Sequence, residues 1–117
     1  MAGRKAGQGS KWIRPEKRQR IYASDDHRCC YCGASLYDGA ALSLDHVVPC
    51  ELGGTNEATN LVTACISCNS AKRDLPLGEF VAHLGDKGID AETVKRTVAN
   101  ARRRHARIER RGAKGTK

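Results

Sequence analysis

The sequence predicts a small α+β domain stapled by a metal ion, and three features carry that prediction. Two CxxC pairs, Cys29 with Cys32 and Cys65 with Cys68, are separated by 32 residues. Two short apolar segments, ALSLDHVVP at 41–49 and NLVTA at 60–64, read as strands, and CISCNSAKRD at 65–74 can form a helix directly behind the second. Beyond residue 90, apolar side chains recur at helical spacing. A chain of 117 residues is one domain. One Trp, one Phe and three Tyr leave it a small aliphatic core, which an added staple would help to stabilise.

The elements follow in order. Residues 1–11 are rich in Gly, Ser and Lys and read as a disordered tail, extending to about residue 14. Pro15 can open a helix, which continues over Glu16 to Ser24 with Ile21 and Tyr22 inward and stops at Asp25-Asp26. HRCCYCGA at 27–34 is a tight turn closed by Gly33, and Asp38-Gly39 marks another. Pro49 ends the first strand. ELGGTNEAT at 51–59 is a loop built on Gly53-Gly54, and NLVTA leads into a helix that stops before Pro76. LGEFVAHL at 77–84 gives one or two helical turns. Asp90 caps a final helix from Ala91 to about Arg111, closed by Gly112. Val94, Val98, Ala101, His105 and Ile108 form its narrow apolar stripe. The expected organisation is a basic tail (1–14), a central domain (15–85) and a basic helix with its tail (86–117).

Charge is partitioned along the chain. Residues 1–20 carry a net +6, residues 21–90 a net −6 and residues 91–117 a net +8. An acidic centre between two basic blocks suits a protein that binds a polyanion at its flanks and cations at its middle. Arg73, Arg96, Arg102, Arg103, Arg104 and Arg107 are the candidate nucleic-acid contacts. Trp12 is expected to pack on the domain rather than stack on a base. The sequence contains no apolar run of roughly 18 residues, so no membrane span is expected. Its basic start has no apolar stretch behind it, which argues against a secretory leader and for a cytoplasmic protein. There, paired cysteines more often hold metal than form disulfides.

Two CxxC turns bring four thiolates to one tetrahedral zinc, a closed structural site with no open position for substrate. Its binding energy becomes folding energy. Cys30 and Cys50 are left over. Cys30 lies inside the first turn, where it could compete as a ligand, but free thiols are the expectation for both.

Asp45-His46 ends the first strand, Asn60 follows His46 by 14 residues, and Asn69 follows Asn60 by nine. A bare Asp-His pair says little. The whole pattern of DH, GG, N, CxxCN and K over residues 20–76 resembles the HNH endonucleases, in their small zinc-stapled form. The resemblance implies a ββα-metal fold, in which two antiparallel strands and a helix hold one divalent cation against a phosphodiester. It gives His46 the role of general base, Asp45 and Asn69 the role of metal ligands, and Asn60 that of pinning the loop between the strands. Asn69 stands where the family name has His, which makes this an HNN variant with an oxygen-rich site. Such a site suits magnesium or manganese better than zinc. An imidazole with a pKa near ~6.5 suits deprotonation of water near neutrality. One helical turn beyond Asn69, Lys72 is expected to face the phosphate.

The function implied is metal-dependent hydrolysis of DNA. Cutting both strands would require a homodimer or repeated encounters, and weak sequence preference would call for a targeting partner. A zinc-ribbon module that binds nucleic acid without catalysis is the alternative. It accounts for the cysteines and the charge but leaves Asp45, His46, Asn60 and Asn69 unexplained.

Overall fold

The computed structural model describes the backbone of residues 13–115 and the side chains of residues 13–108. The tail expected over 1–11, Trp12, and the side chains of Arg110 and Arg111 lie outside the described residues. Helix α1 spans Pro15–Ser24, with proline at its first position, where the missing N–H would have had no helical partner. Ile21 and Tyr22 are buried, and Asp25 follows as the C-cap. The chain then makes the cysteine turn: Cys29 N–H donates to Ala34 O at 2.8 Å and Gly33 N–H to Cys29 O at 2.9 Å.

Strand β1 (Leu42–His46) pairs antiparallel with β2 (Leu61–Cys65), with Leu42 opposite Cys65, Asp45 opposite Val62 and His46 opposite Leu61. Helix α2 (Ile66–Lys72) begins at the next residue, so the expected strand, strand, helix order is present. Cys65 caps it, its sulfur accepting the N–H of Cys68 at 3.4 Å. After Pro76 comes α3 (Leu77–Gly85), and α4 spans Ala91–Gly115. Asp90 caps α4, its carboxylate accepting the Thr93 N–H at 2.9 Å.

Both faces of the two-stranded sheet are covered. On one side Leu44 and Leu61 pack with Ile13, Ile21, Tyr22 and Ala58. On the other, Val62 and Ala64 pack with Tyr31, Phe80, Val81, Leu84, Val94, Val98 and Ala101. Val94, Val98 and Ala101 of the stripe expected on α4 therefore join the main core, while His105 is buried against Ala58 and Leu61 and Ile108 lies at the edge of the α1 side. Two boundaries differ from expectation: β1 stops at His46, short of Pro49, and α4 runs through Gly112 to Gly115. A single helical glycine costs about 1 kcal/mol relative to alanine and does not by itself end a helix.

Candidate active site

The Sγ atoms of Cys29, Cys32, Cys65 and Cys68 all lie within 4.8 Å of one another. Cys32 and Cys65 sulfurs are 3.8 Å apart, the edge expected of a tetrahedron with sulfurs at ~2.3 Å from its centre. Three of the four are buried, and none of the six cysteines is in a disulfide. Cys29 accepts the N–H groups of Tyr31 at 3.3 Å and Cys32 at 3.4 Å. Its thiol is pulled down to about 5, first by the neighbouring Cys68 thiol and then, against the cost of burial, by these N–H groups. The donor set fits zinc, which would sit where the two turns meet and lock β2 to the first turn. Cys30 stands outside the cluster, and burial, with Asp25 and Cys29 nearby, pushes its thiol up, so it stays protonated.

The C-terminal end of β1 carries the second set of groups. Asp45 is buried, and its Oδ2 accepts the Tyr31 hydroxyl at 2.5 Å and faces Lys72 Nζ at 3.2 Å. Burial raises the Asp45 carboxyl, against the opposing pull of Lys72 and Tyr31. Oδ1 has no bond among the described residues. Asn69, on α2, is fixed from the same side. Its Nδ2 donates to Ser43 Oγ at 2.8 Å and to Leu44 O at 3.0 Å. Both amide hydrogens are used, so the side-chain oxygen is the atom left over.

Lys72 is placed differently from the expectation that it faces a phosphate. It is fully buried, and its ammonium bonds the His46 carbonyl at 2.9 Å as well as Asp45. A buried ammonium is stable only when paired, and Asp45 is the carboxylate within reach. Lys72 is therefore a strut under the strand end rather than a surface cation.

His46 turns its ring towards the 50–60 loop and is half-buried, with Nε2 2.7 Å from Asn56 Oδ1. An amide oxygen only accepts, so Nε2 carries the proton and Nδ1 is left with a free lone pair. Asn56 is itself tethered, its carbonyl accepting Lys17 Nζ from α1 at 2.7 Å. Asn60 ties the loop together: Oδ1 accepts Val48 N–H at 2.9 Å, while Nδ2 donates to Val48 O at 3.0 Å and Thr55 O at 2.9 Å. Its own carbonyl accepts Val47 N–H at 2.9 Å. Gly54 fills the one spot where this network leaves no room for a side chain.

The six arginines fall into two groups. Arg102 donates to Thr59 O at 2.7 Å and Arg104 to Asp25 Oδ1 at 2.9 Å, so both clamp α4 to the domain. Arg73, Arg96, Arg103 and Arg107 are exposed, Arg103 leaning on Asn100. Beside Arg104, His105 Nε2 donates to Asp25 Oδ1 at 2.8 Å and Nδ1 to Leu61 O at 2.8 Å. Both ring nitrogens face acceptors, which makes the ring an imidazolium buried against a carboxylate. Burial works against the Asp25 charge, but His105 and the Thr63 N–H outweigh it and hold the carboxyl below its usual range.

Sequence reasoning missed Tyr31, Asn56 and the Asp25–His105 pair. Only His105 left a signal, as a polar residue inside an apolar stripe.

Residues 29–84 match the family model described as HNH endonuclease. No curated protein matches the chain. Among solved structures, the Type II-C Cas9 enzyme from Actinomyces naeslundii aligns with 80% of this chain at 23% identity and a TM-score of 0.46. This chain spans 12% of that protein's length. No helix among the described residues is long and apolar enough to cross a membrane.

Proposed function

We propose that the HNH endonuclease stretch at residues 29–84 is a working active site that hydrolyses phosphodiester bonds of DNA with one divalent ion. The observation that carries this reading is the His46 ring, held by Asn56 with Nδ1 free. In this role Nδ1 accepts a proton from the attacking water, and Asn56 keeps the imidazole in the tautomer that can do so. Asp45 Oδ1 and Asn69 Oδ1 are the oxygens that would hold magnesium or manganese, a donor set that suits hard cations. When bound, that ion supplies charge neutralisation at the phosphoryl and leaving oxygens. Asn60 keeps the loop closed over the strand end, so that the base does not drift from the ligands. Arg73, Arg96, Arg103 and Arg107 supply phosphate contacts outside the site, and contacts of this kind weaken steeply with salt.

The test is nicking of supercoiled plasmid by wild type and His46→Ala, in metal-stripped buffer with magnesium, manganese or zinc added at the second site. Wild type is expected to nick with magnesium or manganese in preference to zinc. His46→Ala is expected to bind the plasmid and lose at least ~100-fold in rate, the scale of a lost general base. If both proteins bind the plasmid and neither cuts it, the chain is a zinc-stapled binding module and the hydrolase reading is wrong.

A further inference from the structure

We propose that Tyr31 is a positioning residue that ties the orientation of the Asp45 carboxylate to the four-cysteine site. The inference rests on the metal-holding role proposed for Asp45.

Tyr31 lies between two members of the cysteine cluster, and its backbone N–H donates to one of them, Cys29. Its ring is 2% exposed and meets Phe80 edge-on, with centroids 5.0 Å apart at 87°. The ring therefore cannot swing without opening the core or moving the turn. From that fixed base the hydroxyl reaches Asp45 Oδ2 across 2.5 Å. A phenol hydroxyl facing a carboxylate oxygen is the donor of the pair.

The last torsion of an aspartate is broad and nearly two-fold, so a carboxylate needs outside partners to hold one oxygen in one place. Asp45 has two, and both hold the same oxygen. Lys72 is the more distant of them, a point charge at 3.2 Å that is shared with the His46 carbonyl. Tyr31 supplies direction, and Oδ1 is left facing away as the free ligand atom. The turn that zinc would lock thus becomes the platform on which the second metal's carboxylate is set. Partners of metal ligands at this remove typically change metal affinity by about 10- to 100-fold when lost.

Tyr31→Phe keeps the ring and removes the bond. The zinc-loaded full chain is compared with wild type by manganese titration calorimetry, zinc content, thermal melting, and the manganese dependence of plasmid nicking. The expected result is unchanged zinc content, a melt within a few degrees of wild type, and manganese binding weaker by about tenfold or more. Half-saturating manganese for nicking should rise by the same factor. Binding within twofold of wild type overturns the proposal.

A second measurement needs no variant. In wild type, magnesium titration followed by proton NMR should shift the Tyr31 hydroxyl resonance with the same half-saturation as the Asn69 side-chain amide. A hydroxyl that ignores the ion overturns the proposal even if Tyr31→Phe fails to fold. Metal binding with the Tyr31 response but no nicking refutes the hydrolase and spares this link. Nicking that is unchanged in Tyr31→Phe refutes the link alone.

Discussion

Gly54→Ala is the substitution for which the structure allows the sharpest arithmetic. A Cβ built on Gly54 falls 1.7 Å from Val48 O, 2.7 Å from Val48 C and 2.8 Å from Asn60 Nδ2. Real Cβ contacts do not come under 3.0 Å, so the loop must open by roughly 1.3 Å at Val48. Neither neighbour is the loose end of a side chain. Val48 O is backbone, and Asn60 Nδ2 already donates to it and to Thr55 O. Gly54 N–H donates to Pro49 O at 3.0 Å, a bond that the opening strains as well. Overpacking at about 1–3 kcal/mol, with two hydrogen bonds of about 1 kcal/mol each, gives a loss of about 3–5 kcal/mol. For a chain of this size the melting temperature should fall on the order of 10 °C or more. Gly53→Ala is the control. Gly53 sits at φ +96° with nothing within 4 Å of an added Cβ, so only the left-handed backbone is penalised, by about 1–2 kcal/mol. Urea and thermal unfolding of the two variants measure the difference. If Gly54→Ala is no less stable than Gly53→Ala, the closed loop around Asn60 is not the structure in solution. Val48 lies two residues beyond His46, so nicking by Gly54→Ala should also fall at temperatures where it remains folded.

Three further outcomes follow from the same geometry. Asp25→Asn leaves the buried His105 imidazolium without its carboxylate and should cost about 3–5 kcal/mol at pH 7. The native Asp25 carboxyl titrates below its unfolded value, so its contribution is full above the ordinary carboxylate range near ~4 and disappears as pH falls through the native value. Urea melts at pH 7, 5 and 3 should therefore show the gap between wild type and variant closing only at the lowest pH. Removing metal from the four-cysteine site with a strong chelator should unfold the chain or collapse its melting transition, with one zinc per chain released; a stripped protein with an unaltered melt would contradict the structural role. Asn56→Asp places a carboxylate on His46 Nε2, which favours the imidazolium. The acid limb of the pH–rate profile should move to higher pH, and an unmoved limb would mean that Asn56 does not orient the base.

Local physics made much of this fold legible from residues alone. A CxxC turn brings two sulfurs together whatever surrounds it, so the four clustered cysteines could be named from spacing. Pro15 and Asp90 mark helix starts by what their own atoms can and cannot do with a backbone N–H. The apolar stripe of α4 follows from 3.6-residue periodicity, and the helix outruns its expected end because one glycine is too weak a stop. The strand that carries Asp45-His46 is equally readable from its apolar pattern, although it stops at His46, three residues before Pro49.

Contacts between distant segments are a different matter, because no periodicity encodes them. Lys72 was expected at a phosphate, yet it turns inward because Asp45, 27 residues earlier, is the carboxylate that makes its burial tolerable. His105 bonds a carboxylate 80 residues away, across the same core that its stripe was built to fill. Which oxygen of Asp45 stays free, and which nitrogen of His46, depends on Tyr31 and Asn56 arriving from other turns of the chain. Residue types and spacing determined which candidate groups this protein carries; only the packing of α1, the cysteine turn and α4 around the two strands decided which of their atoms are paired and which are left free.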